Sequence, residues 1–151
     1  MKEIKITIEE MQAIRIQKSE LEKKETILST PLLTDFTLID LLYGWFKEGL
    51  ADGNCPHPSG CVTQRKKFLF LILYFYSPAS LAGGKMRNGL RDKLAQVLEM
   101  HSRTTISDNC ADVVFFYNRY KYFRNEVDDL FYFLTDKLKE ERGIFLNPSN
   151  C

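Results

Sequence analysis

The chain has 151 residues, 44% of them apolar and 13% aromatic, with a formal net charge of +1. That length and apolar content allow one domain with a real core and exclude a disordered chain. A near-neutral total excludes a uniformly basic protein, so a polyanion-binding face must come from uneven charge along the chain.

The N-terminal run MKEIKITIEEM is charged and holds no apolar stretch of signal-peptide length, which points to a cytoplasmic protein. There the four cysteines, Cys55, Cys61, Cys110 and Cys151, are expected as thiols or metal ligands rather than disulfides. From Ile8 to Leu28 no Pro or Gly occurs. Met11, Ile14, Leu21 and Leu28 fall at heptad spacing, with Lys18 and Glu25 at the remaining seam positions. This predicts a long helix with a thin apolar stripe, which either pairs with a second copy in a homodimer or lies across the domain as a packing arm. Residues 1–30 carry six basic and six acidic side chains, which argues against nucleic-acid contact by this helix.

Pro31 breaks the helix, and residues 31–151 read as a single helical domain. Thr37 is the expected cap of the next helix, where Leu38, Leu41, Leu42 and Trp45 share a face. Gly49 to Gly60 then reads as a loop, in which Cys55, His57 and Cys61 offer three zinc ligands. A structural zinc needs four, and a fourth would have to come from Cys110, Cys151 or His101. Paired C-x2-C half-sites are absent, so an ordinary surface loop is the favoured reading and no metal or cofactor is expected.

Thr63 to Tyr76 starts basic with Arg65, Lys66 and Lys67 and continues as FLFLILYFY. No run elsewhere could pair with it as a strand, so it is read as a buried helix. Its nine apolar residues from Phe68 to Tyr76 are about half of the roughly 18 that a membrane span needs, and no membrane partner is expected. Ser77-Pro78 ends it, with a short turn over Ala79 to Ala82. Gly83 to Gly89 offers backbone amides beside Lys85 and Arg87, but the Walker order is missing, and the segment fits a DNA-backbone contact better than a nucleotide site.

A helix over Leu90 to Leu98, capped by Asn88, places Leu90, Leu94, Val97 and Leu98 on one face. After a short turn, a second helix begins near Arg103 with Ile106, Cys110 and Val113 inward and Arg103, Thr104, Ser107, Asp108 and Asn109 outward. Over residues 89–118, and most clearly in LAQVLEMHSRTTIS, the chain resembles the helix-turn-helix of bacterial and phage DNA-binding proteins. Ala95 stands as the small residue where the helices approach, and Leu98, Met100 and Ile106 as buried positions. Glu99 stands where that family usually has a turn glycine, so the turn must either accept a left-handed non-glycine residue or take another path.

The resemblance implies a non-enzymatic protein of regulatory or phage-packaging type whose partner is double-stranded DNA. Arg103, Thr104, Ser107 and Asn109 would read bases, and Lys85, Arg87, Arg91 and Lys93 would hold phosphates. Charge counting supports this. Residues 62–103 hold Arg65, Lys66, Lys67, Lys85, Arg87, Arg91, Lys93 and Arg103 against Asp92 and Glu99, a surplus of six, while the rest of the chain sums to −5. The competing reading is a protein-interaction or assembly module in which the hairpin only packs, favoured by Asp108 and Asp112 near the proposed reading face.

From Ile106 to Leu138 the apolar positions keep a helical spacing that only Arg124 interrupts, so the second hairpin helix either continues into a C-terminal core helix or breaks briefly near Arg124-Asn125, and the length of one unbroken helix favours the break. The aromatic-basic run Tyr117 to Arg124 could stack single-stranded bases, although its spacing favours a core. The whole reads as an all-α protein of five to six helices, with a helix-turn-helix-like hairpin and a long N-terminal helix.

Overall fold

The computed structural model describes residues 2–50, 62–100 and 103–146, with backbone alone at 103–105, and these residues form helices and connections without a strand. The helices are α1 (Lys2–Leu28), α2 (Leu38–Gly49), α3 (Val62–Tyr76), α4 (Pro78–Leu81), α5 (Leu90–Val97), α6 (Arg103–Arg119) and α7 (Lys121–Arg142). The all-α expectation and the long N-terminal helix hold. The turn after Ser77-Pro78 closes as the one-turn α4, which takes the number to seven among the described residues.

The chain divides into two units, Met1–Thr30 and Pro31–Cys151. In the first, α1 starts at Lys2, ahead of the expected Ile8, and Thr7 Oγ1 donates back to the carbonyl of Glu3 within the added turns (2.8 Å). No residue of α1 is buried. Met11, Ile14, Leu21 and Leu28 expose between 49% and 74% of their surface.

The second unit is organised around α3. A helix apolar on every side is stable only when surrounded. Phe68 to Tyr76 is buried apart from the half-buried Tyr74, with α2, α4, α6 and α7 packed against the helix. The Phe68 ring lies 4.8 Å from that of Tyr43 and 5.2 Å from that of Phe46 on α2. At the other end of α3, Tyr76 donates its hydroxyl to the carbonyl of Asp35 (2.7 Å), and the Leu33 N–H donates to the carbonyl of Phe75 (2.9 Å). Burial, aided by the charge of Asp35, pushes the Tyr76 phenol above its ordinary pKa and keeps it a donor.

Thr37 does not cap α2 with its side chain. The roles are reversed, because Asp35 accepts from both the Thr37 hydroxyl (2.6 Å) and its N–H (2.9 Å), an Asx turn that leads into the helix. The Thr37 hydroxyl first, and its N–H second, hold the Asp35 carboxyl below its ordinary value. The stability this contributes is present above the ordinary carboxylate pKa and is lost as pH falls through the lower folded value.

The break in the C-terminal stripe falls at Tyr120, before the expected Arg124-Asn125. That single residue is extended (φ −110°, ψ 112°) between α6 and α7. Unbroken, residues 103–142 would run about 60 Å, too far to keep one apolar stripe against α3. The break lets α6 and α7 both pack on α3 and on each other, with Phe116 5.7 Å from the fully buried Phe123 across the joint.

The basic start of α3 is drawn into this packing. Lys67 is 3% exposed and its ammonium pairs with the Glu126 carboxylate of α7. Lys66 reaches Asp112 of α6 (3.6 Å) and stands 4.4 Å from the ring centroid of Phe116.

Candidate nucleic-acid interface

Two tight closures frame the hairpin. α4 ends in a Schellman motif: the Gly84 N–H donates to the carbonyl of Ala79 (2.8 Å), and the N–H of Gly83, at φ 90°, donates to that of Ser80 (3.3 Å). A Cβ on Gly84 would lie 2.8 Å from the Ala79 oxygen, so glycine is required there for helix closure. Those two amides are therefore spent inside the chain and do not form an anion cradle.

α5 starts after Gly89, which is left-handed at φ 84°. Its N-cap is thus Gly89 and not Asn88, and no side chain caps the helix. The far end closes by the same device as α4. The Met100 N–H donates to the carbonyl of Ala95 (2.8 Å) and the Glu99 N–H to that of Gln96 (3.2 Å), with Glu99 at φ 54°. Of the two paths open to the turn, the chain takes the left-handed one without a glycine. Leu90 and Leu94 are buried, as are Leu98 and Ile106 on either side of the turn, while Ala95 and Met100 pack partly buried against the same core. A non-glycine residue in that conformation costs roughly 1 kcal/mol. Glu99→Gly is accordingly expected to stabilise the protein by about 1 kcal/mol in thermal denaturation, and a lowered midpoint would show that the Glu99 side chain supports the turn.

The expected phosphate contacts separate into two kinds. Lys85, Arg87 and Arg91 are exposed. Arg87 is held in place, its N–H donating to Ser77 Oγ (3.2 Å) and its guanidinium 5.5 Å from the ring centroid of Phe36. Arg91 extends its field to Cys110 on α6, where burial pushes the thiol up to about 11 against the lowering effect of the arginine. Lys93 differs: its ammonium is 2.6 Å from Asp40 Oδ2 and its side chain only 19% exposed, because α5 packs on α2. An ion pair of that length leaves it poorly placed for a phosphate. Lys66, Lys67 and Lys93 are thus neutralised by Asp112, Glu126 and Asp40, which lie outside the basic segment.

The expected reading residues are also divided. Arg103 and Thr104 begin α6, and their side chains lie outside the described residues. Ser107 and Asn109 are half-buried where an outward orientation was expected, since α3, α4 and α5 all pack against α6. The exposed face of α6 is instead Asp108, Ala111, Asp112, Phe115, Asn118 and Arg119. In the aromatic-basic run, Tyr117 stacks on Phe70 (4.4 Å, 9°) and Phe123 is buried, while Tyr120 and Tyr122 are exposed. Cys55, His57, Cys61, His101 and Cys151 lie outside the described residues, and no group of three or more His, Cys, Asp or Glu among the described ones could hold a metal. No described helix is long and apolar enough to cross a membrane.

No protein family, curated protein or solved structure matches this chain.

Proposed function

We propose that the α5–α6 hairpin is a helix-turn-helix that docks on duplex DNA, with Lys85, Arg87 and Arg91 against the phosphate backbone and the first turns of α6, from Arg103, toward base edges. The observation that carries this reading is the left-handed closure of α5 at Glu99, with α6 packed against α5 and three exposed cations ahead of and on α5. A first helix over the backbone and a second entering the major groove at its N-terminus is how such hairpins dock. The acidic outer face of α6 begins at Asp108, past the first turn.

With Lys93 held by Asp40, three backbone cations remain, which implies a log-log salt slope of about −2.7. Binding titrations of the full chain on a selected site and on random duplex test this. Arg87→Ala should weaken both alike and bring the slope to about −1.8, whereas Arg103→Ala should narrow the gap between the two DNAs, an Arg–guanine pair contributing roughly 1–3 kcal/mol of discrimination. Absent binding at low salt, or a flat salt response, would sink the DNA reading.

A second reading, a module for protein assembly, is favoured by a different observation: the apolar residues at heptad spacing along the 27-residue α1. A single helix gains little from propensity alone, and the heptad positions of α1 suit pairing with another helix. The occupant that suits it is a second copy. Its six acidic and six basic residues leave no net charge to oppose self-association, and its apolar seam runs over Met11, Ile14, Leu21 and Leu28. Self-association through α1 is also compatible with the DNA reading, since dimeric helix-turn-helix proteins address paired half-sites.

A further inference from the structure

On the side of α3 that faces α7 the second unit holds a cleft of about 640 Å³, within the range of small-molecule sites. Its walls are aromatic. Phe70 and Tyr74 of α3, Tyr117 of α6, and Phe131 and Tyr132 of α7 line it, and the one charged residue among its described lining residues is Asp128 of α7. The rings brace one another: Phe70 stacks on Tyr117 at 4.4 Å, Tyr74 meets Phe131 edge-on at 5.3 Å, and Phe131 meets Tyr132 at 5.5 Å.

The carboxylate is oriented rather than loose. Tyr117 donates its hydroxyl to Asp128 Oδ1 (2.8 Å). Burial, reinforced by that hydrogen bond, pushes the phenol up to about 12, so it remains a donor throughout the neutral range. Asp128 is half-buried in these surroundings. A carboxylate partly withdrawn from water gains from a cation brought beside it, and the negative faces of tyrosine and phenylalanine rings attract the same charge. Arg124, one helical turn before Asp128, lies close enough to influence Tyr117 but does not line the cleft.

We propose that this cleft binds a small organic ammonium with an apolar, preferably aromatic, body: the body lies among the rings and the ammonium meets Asp128. An anion is refused by the same carboxylate. This site is separate from the proposed DNA contact and does not depend on it.

Calorimetric titration of the full chain with three probes of one shape tests the assignment: 2-phenylethylammonium, 2-phenylethanol and 3-phenylpropanoate. The ammonium should bind at least roughly tenfold more tightly than the alcohol, and the carboxylate most weakly. Asp128→Asn retains an acceptor for Tyr117, so the fold should persist while the preference for the ammonium over the alcohol disappears. Asp136→Asn, on the exposed side of the same helix, should leave the preference intact and so separates the site from a general effect of protein charge. No ammonium binding at millimolar concentration, equal binding of all three probes, or a preference that survives Asp128→Asn would each overturn the proposal.

Discussion

Removal of residues 1–30 is expected to convert a dimer into a monomer and to leave the unfolding of residues 31–151 nearly unchanged. The boundary follows the division of the chain into units at Thr30 and Pro31. Every buried residue of the core lies beyond it, from Leu33 onward, and so does each hydrogen bond that ties the segment after Pro31 to α3. What is lost is the exposed seam of α1. Sedimentation of full-length and truncated chains at matched concentrations reads the mass directly, and urea denaturation of the truncated chain reads the remaining stability. A full-length chain that sediments as a monomer at high concentration would contradict the dimer. For the DNA reading, truncation should weaken binding to paired half-sites much more than to a single half-site.

The second large effect concerns the buried ion pair. Glu126→Ala leaves the Lys67 ammonium, 3% exposed, without its carboxylate, and breaking such a pair from one side costs about 3 kcal/mol, the lower end of the range because Glu126 keeps 18% exposure. That is a large share of the 5–15 kcal/mol typical of a domain. Lys67→Met is expected to cost clearly less, since the carboxylate left behind can still reach water and the thioether fills the channel of the aliphatic stem. The double variant Lys67→Met with Glu126→Leu should recover most of the loss from Glu126→Ala, because two apolar groups of similar volume need no solvation. Urea midpoints of the three variants decide the matter. Equal losses for the two single variants would mean that the pair matters through packing rather than charge.

Where local chemistry decided the outcome, the sequence was sufficient. Nine apolar residues from Phe68 to Tyr76 have no exposed face to offer and no strand to pair with, so they had to become a buried helix, as α3 is. The spacing of Leu90, Leu94 and Leu98 set the inner face of α5, because it follows from 3.6 residues per turn, and the run from Ile8 to Leu28 without Pro or Gly lies within the single helix α1. Glu99 marked the place where the hairpin turn would have to choose its path.

Tertiary packing decided what local patterns cannot encode, namely which charges meet. Lys67 and Glu126 are 59 residues apart and Lys93 and Asp40 are 53 apart. No window of sequence contains both partners, so the basic surplus of residues 62–103 looked like one face when three of its cations were already paired. A break was expected from the interruption of the stripe at Arg124, but its place at Tyr120 was not readable, since neither Pro nor Gly marks it and it arises from α6 and α7 both needing to reach α3. The aromatic cleft is the same kind of feature. Tyr117 reads as one more core position on a stripe, and only the approach of α3, α6 and α7 sets it beside Asp128 with space left over. Periodicity fixes which face of a helix turns inward, whereas partner identity and empty volume depend on distances across the fold, which the chain settles only once it is packed.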